Sequence, residues 1–364
     1  MRIIYKIGGY FLLFHLLLGL WGCSFFGCKP EVTIRKDWSY VTPGTVQFVQ
    51  AILTPDGKIL TSTRNGDVYT INSSGAGTRL YEGTTVPPQP FIEINPTGNT
   101  FGVLANNQFT LYDAAGNQLG VQPVSPGFFK QIPNSQLVYS PEVEGDPENM
   151  HVSKIRILNA AGSIIWAFPV DGLKFSRLTA AHIIYSTGLE LVKSTFQGGY
   201  VWSTPVKVRK FEISKNGDQL IVNDAENSAK VYHYKGAIPI ETDSLKAPVW
   251  NLVMSPGGQY SAASSQTKLH VYMDGKRQSQ ISLPVAYAVS LDINDKGETL
   301  VGGQDNDFTS HVLMYDASGY LLWEEKSVTD NNAWQPGVRF NPGGDSFVIR
   351  FKDGLKYYTI TGRQ

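Results

Sequence analysis

The chain has 364 residues, 42% of them hydrophobic and only 17% charged, with 31 basic side chains balancing 31 acidic ones. A neutral chain without basic clusters argues against an electrostatic grip on nucleic acid. The aromatic share of 12% and the 36 glycines fit an all-β composition, and the length suits a single large domain.

The N-terminal segment is of a different kind from the rest. Arg2 and Lys6 precede an apolar run from Ile7 to Leu20, the charged and apolar regions of a secretory signal. The run is short for a membrane span, which needs about 20 apolar residues. Leu20-Trp21-Gly22-Cys23-Ser24 follows and resembles a bacterial lipobox, with an aliphatic residue at minus three and a small one at minus one. That resemblance implies a diacylglyceryl group on the sulfur of Cys23, which would become the mature N-terminus. Trp21 departs from the pattern, where a small residue is usual. Phe25-Phe26-Gly27-Cys28 offers a second register, and an uncleaved anchor helix reaching toward Phe26 is the alternative. The division expected is a signal peptide over 1–22, a lipidated tether over 23–31 and one folded domain over 32–364. Both cysteines lie in the leader segment, so no disulfide is expected in the domain.

Val32 to Val41 alternates as a strand and carries Trp38 near its end, like Tyr200-Val201-Trp202 and Leu321-Leu322-Trp323 further on. From there a unit recurs. Its first mark is a tight turn: Pro55-Asp56-Gly57, Pro96-Thr97-Gly98, Pro133-Asn134-Ser135, Lys215-Asn216-Gly217, Pro256-Gly257-Gly258, Asp295-Lys296-Gly297 and Pro342-Gly343-Gly344. Proline presets φ at one turn position, and Gly or Asn accepts a positive φ at another. Gly57 and Gly344 stand 287 residues apart, seven intervals of about 41. One turn is degenerate, near Ala180-Ala181. A second mark, an apolar residue followed by tyrosine, falls at Tyr69, Tyr112, Tyr232, Tyr272, Tyr315 and Tyr358. A third is the Asp113-Ala-Ala-Gly116, Asn159-Ala-Ala-Gly162 and Asp316-Ala-Ser-Gly319 series, each leading into an apolar strand.

A period near 40 with four short strands per unit predicts a β-propeller of eight four-stranded blades, seven being the alternative count. The units fall near 46–82, 90–121, 128–170, 173–205, 208–242, 248–283, 286–327 and 336–362. The last unit has three strands, so Val32–Val41 is expected to supply its fourth and close the ring, leaving no open sheet edge there.

The longer excursions are Val86–Pro90, Glu142–Asn149, Asp305–Asp307 and Ser327–Gly337. In such a ring they all fall on the face that carries the links between blades, and long loops commonly carry binding. The candidate binding residues are therefore Trp334, Trp250, Phe128, Glu142, Glu144, Asp146, Asp305 and Asp307. Aromatics recur where first strands begin (Phe48, Phe91, Phe128, Phe129, Trp250, Tyr287, Trp334); most are expected between blades and a few at the mouth of the central channel. The acids from Glu142 to Glu148 have oxygen ligands suited to Ca²⁺ but not the spacing of an EF-hand loop, so a solvated loop is expected. Histidines 151, 182, 233, 270 and 311 are scattered one to a unit and read as strand residues facing neighbours rather than a metal cluster. The sequence has no Gly-rich phosphate loop, nucleophile elbow or His-Glu zinc motif, and neither a catalytic residue nor a cofactor is nominated.

The Pro-Asp-Gly type turns and third-strand Val-Tyr pairs resemble WD-type propeller repeats, and Asp316 to Trp323 resembles quinoprotein-type repeats. The Gly-His and Trp-Asp dipeptides of strict WD repeats are absent, and quinoprotein dehydrogenases are much longer chains whose cofactor residues are not placed in this one. Cys23-Ser24-Phe25-Phe26 followed by Trp38-Ser39 also resembles the lipoprotein scaffold subunit of the bacterial outer-membrane β-barrel assembly machinery. A ring fold with loop excursions on one face, the absence of a catalytic constellation and the lipobox-like leader lead to the expectation of an exported, membrane-anchored, non-enzymatic scaffold of the cell envelope with other envelope proteins as partners. The assembly-machinery resemblance is an analogy to it. The alternatives are a lyase or hydrolase of an envelope glycan or polymer acting at the channel mouth, and a sensor of a ligand or metal.

Overall fold

Short alternating strands separated by turns that demand a positive φ cannot form anything but antiparallel hairpins, and one hairpin pair buries only part of its apolar surface. The computed structural model describes residues 32–41, 48–54, 56–83, 90–105, 108–123, 129–144, 151–170, 172–328, 336–351 and 354–363. They form eight antiparallel four-stranded sheets, the blades of a β-propeller, as the repeat count predicts. Blade one runs Phe48–Leu53, Ile59–Thr63, Val68–Ile71 and Gly77–Tyr81, and six further blades follow in the same consecutive order.

Blade eight is composite. Gly337–Phe340, Ser346–Arg350 and Gly354–Arg363 come from the far end of the chain, and the fourth strand is Val32–Val41. Val32 pairs with Arg363 and Val41 with Gly354. Thr359 Oγ1 donates to Asp37 Oδ2, and Thr361 Oγ1 donates to the Thr33 carbonyl at 3.2 Å. The expected clasp is thus in place.

The core is not one mass but a ring of seams. Each of the eight blade junctions holds its own cluster of buried side chains. Between blades eight and one, Trp38, Val348 and Leu355 meet Phe48, Leu53 and Ile59. Between six and seven, Leu269 and Val271 meet Leu291, Val301 and Leu313. A blade buries both its faces only by stacking on two neighbours.

The turn series serves the same seams. Asp113 Oδ1 accepts from Ala115 N and Asn117 N, an Asx turn that fixes the hairpin. The corresponding turn of blade three lies against the outermost strand of blade two, where a Cβ on Gly120 would come within 1.7 Å of the Ala160 carbonyl oxygen. Gly75, with φ +83, lets the same turn of blade one lie flat on Trp38. The degenerate turn is a shorter one, closed by Thr179 N donating to the His182 carbonyl at 2.9 Å.

This topology sorts the connections. Turns between first and second and between third and fourth strands lie on one face, the turn face. Loops between second and third strands and the links between blades lie on the other, the loop face. Val32 joins the ring at the turn face because it pairs with the end of the third strand, and Val41 leaves it at the loop face.

Candidate functional site

The first strands stand around the central channel, and from blade one to blade eight polar side chains tie each to the next. Gln50 reaches across to Ile92 and Ile94 of blade two, and Gln131 donates to the Glu93 carbonyl at 2.7 Å. Lys130 Nζ donates to the Ser176 carbonyl at 2.9 Å, and Arg177 forms a two-pronged pair with Glu212 at 2.9 and 2.5 Å. Asn251 Nδ2 donates to the Ala288 carbonyl at 3.0 Å, and Ser290 Oγ to the Pro336 carbonyl at 2.6 Å. Asp292 accepts from Phe340 N at 2.7 Å. Burial in this wall, with Arg177 beside it, pushes the Lys130 ammonium down to about 8, and burial raises the carboxyls of Glu93 and Asp292. These groups are spent on joining blades.

At the loop-face end of the same strands the side chains turn outward. Phe48 and Phe129 are buried as expected of seam residues, whereas Phe91, Phe175, Trp250 and Tyr287 are exposed. Trp250 and Tyr287, 37% and 44% exposed, stack with centroids 5.9 Å apart at 23°. An open recess of about 350 Å³ lies on one side of this pair, lined by Arg209, Lys210, Val249, Trp250 and Asn251. A second of about 320 Å³ lies on the other, lined by Gln266, Thr267, Tyr287, Asp305 and Asn306. Lys210 Nζ donates to the Trp250 carbonyl and Arg209 Nη1 to that of Val249.

Of the residues expected at the binding face, Trp250 and Asp305 thus line the two neighbouring recesses at the channel mouth. Asp305 is partly occupied: it stands 3.0 Å from His311 Nε2, and its carboxylate caps the loop through the amides of Asp307 and Thr309. The bonded imidazole holds the Asp305 carboxyl below its ordinary range. His311 is itself a strand residue with Glu324 3.1 Å away on its other nitrogen, so it fixes this loop to the outermost strand of blade seven. Glu142 lies within the second strand of blade three rather than in a loop, opposite Lys154, with which it forms an ion pair at 3.3 Å. Glu144 ends that strand, paired with His151. Phe128, Asp146 and Trp334, and with them Cys23 and Cys28, lie outside the described residues. Among the described residues no three His, Cys, Asp or Glu side chains gather as a metal ion would require.

Arg209 and Lys210 were not anticipated. The signal was present: two consecutive cations at the head of an alternating strand contradict the alternation, and a bulge resolves the contradiction.

Fold and mouth together define a β-propeller whose loop face carries an aromatic platform between two recesses. No protein-family profile matches the sequence, and comparison with curated proteins finds no match. Solved structures do match. The C-terminal WD40 domain of Sif2 is similar over 91% of this chain and 99% of its own, with a TM-score of 0.66 and 11% identity. BamB from Moraxella catarrhalis is similar over 90% of this chain and 100% of its own, with a TM-score of 0.62 and 12% identity. Kluyvelomyces marxianus Hsv2 is similar over 75% of this chain and 97% of its own, with a TM-score of 0.54 and 14% identity. At these identities the likeness is one of fold.

Proposed function

We propose that the protein is a lipid-anchored, non-enzymatic scaffold of the cell envelope that binds other envelope proteins through its loop face. The observation that carries this reading is the polarity of the ring. The segment bearing the lipobox-like Leu20 to Cys23 leads into Val32, which joins the ring at the turn face. The aromatic platform and its recesses occupy the opposite face. An anchor at Cys23 would then hold the turn face toward the membrane and present the mouth to partners. The fold likeness to BamB agrees with a scaffold, since a propeller offers a rigid surface without supplying chemistry of its own. Among the described residues no helix is long and apolar enough to cross a membrane.

The test has two arms. Cys23→Ala should abolish acyl labelling and release the protein from membranes. Unchanged labelling and partitioning would sink the Cys23 anchor. In the second arm, photo-cross-linkers placed around the loop face of the native protein should capture partners in its own membrane, and the same groups on the turn face should not. Turnover of a glycan or ester panel abolished by one substitution at the mouth would overturn the non-enzymatic reading.

A further inference from the structure

The recess beside Trp250 takes its shape from two bulges in first strands, a device that also occurs at Val49 of blade one. Regular pairing of the first two strands of blade five is interrupted between Val208 and Lys210, and the extra residue is Arg209. Arg209 and Lys210 are consecutive, yet both are exposed, where the alternation of a first strand packed on both faces would bury one of them. A second interruption, between Ala288 and Ser290 of blade seven, frees Val289 in the same way. Both bulged residues line the same recess. Bulges re-aim side chains and are over-represented beside functional sites.

The chemistry of the recess is specific. Arg209 and Lys210 are anchored by backbone carbonyls of the link to blade six, so their positions are fixed while most of their donors remain unused. Among the described residues neither forms an ion pair with a carboxylate, although Arg177 on the neighbouring blade is paired with Glu212. The Asn251 amide is already bonded to the Ala288 carbonyl. The nearby Glu212 carboxylate acts on Lys210 but is taken by Arg177. What faces outward is therefore a pair of cations that form no ion pair of their own among the described residues, next to the stacked rings of Trp250 and Tyr287.

We propose that this recess binds an acidic peptide segment of a partner protein, with its carboxylates on Arg209 and Lys210 and a proline or aromatic side chain on the Trp250–Tyr287 pair. The inference rests on the scaffold reading and names the chemistry of the partner. Charge decides between occupants. A neutral glycan would stack on Trp250 but leave both cations unanswered. A duplex nucleic acid crossing the platform would carry its phosphates onto Asp305, in a chain with no net positive charge. A peptide can place its acids on one side of the platform and its backbone against Gln266 and Thr267 on the other. Carboxylate–guanidinium pairing supplies the register, and the flat rings supply contact area at little entropic cost.

The experiment is fluorescence anisotropy on the full chain in detergent, with three labelled Gly/Ser peptides built around a Pro-Tyr centre. They differ only in the flanking residues: Glu, Gln or Lys. The Glu peptide should bind about tenfold more tightly than the Gln peptide, with an advantage that shrinks as salt is raised, and the Lys peptide more weakly than either. Arg209→Gln combined with Lys210→Gln should abolish the advantage of the Glu peptide over the Gln peptide, bringing the two to the same level. Trp250→Ala should weaken both. Thermal unfolding establishes that each variant is folded, and Lys210→Gln alone serves if the double variant is not. Equal binding of Glu and Gln peptides, no binding of the Glu peptide, or indifference to the cation substitutions overturns the proposal. So does chitotetraose or duplex DNA that displaces the Glu peptide from wild type and binds the double variant equally well. Peptide failure alongside cross-linking elsewhere on the loop face removes this inference and leaves the scaffold standing. Absence of partners from every loop-face position removes the scaffold whatever the peptides do.

Discussion

Trp38 offers the sharpest test of how the ring is closed. It is 9% exposed, stacks on Tyr357 at 5.4 Å and 14°, and fills the seam between blades eight and one. Gly75 of blade one approaches so closely that a Cβ there would lie 3.1 Å from that of Trp38. Truncating a buried tryptophan to alanine costs about 3–5 kcal/mol when the cavity cannot collapse. One term works the other way. The indole N–H of Trp38 is buried without a partner among the described residues, and an unmade hydrogen bond of that kind costs about 1–3 kcal/mol. Alanine removes that penalty along with the ring, so Trp38→Ala should destabilise by about 2 kcal/mol, a fall of about 3 °C in midpoint for a domain of this size. Trp38→Phe keeps most of the stack and loses the orphan donor, so it should lie within about 1 kcal/mol of wild type. Urea unfolding followed by circular dichroism measures both. Hydrogen exchange should show the loss of protection concentrated in residues 354–363, the strand that Val32–Val41 covers. A wild-type midpoint for Trp38→Ala would refute the seam argument. A Phe variant as unstable as the Ala variant would show that the indole N–H has a partner after all.

Removing residues 29–41 outright should lower the midpoint further than Trp38→Ala and reduce solubility, because it uncovers the edge of Gly354–Arg363; soluble forms beginning at Lys29 and at Thr42 with equal midpoints would contradict this. Gly120→Ala should cost about 1–3 kcal/mol in urea, since its Cβ would collide with the Ala160 carbonyl, a backbone atom that cannot swing aside; a neutral result would mean that blades two and three can shift apart freely. Burial lowers the imidazole of His233 to about 4, with Ser261 3.1 Å away and Asp243 opposing the shift. The unfolded imidazole titrates near 6.5, so the unfolded state binds the extra proton between about pH 6.5 and 4 and stability falls as pH is lowered through that window. His233→Phe should flatten that limb when urea midpoints at pH 5 and pH 7.5 are compared, and an unchanged difference would place the pH dependence elsewhere.

The periodic parts of the molecule were open to reading because each blade solves the same problem with the same residues. The turn series, the third-strand tyrosines and the three-strand remainder at the last unit sufficed for eight blades and for the clasp by Val32–Val41. What periodicity cannot carry is departure from itself. Glu142 sits in a strand because pairing in blade three runs through Pro141 to Glu144 and His151, into the acidic run expected to be a solvated loop. The exposure of Arg209 and Lys210 depends on a bulge of a single residue, and the partial occupation of Asp305 on a histidine six positions along. Such contacts are settled by which way one side chain turns, and a repeat pattern averages that away.

The composite blade also sets an order of events during folding. The Thr33–Thr361 contact joins residues 328 positions apart, whereas the seven other blades are assembled from neighbouring hairpins. As the chain is synthesised, Val32–Val41 emerges before the blade strands it will join and must wait, unpaired, until Gly354–Arg363 exists. The loop-closure cost grows only slowly with that separation, about 0.6 kcal/mol for each doubling, so the wait is a matter of time more than of final stability. Throughout it, a strand carrying Trp38 and Tyr40 remains available to any other exposed sheet edge. A nascent ring is therefore most vulnerable to misassembly just before its last strand arrives, and a chain truncated anywhere before residue 354 would stay in that state.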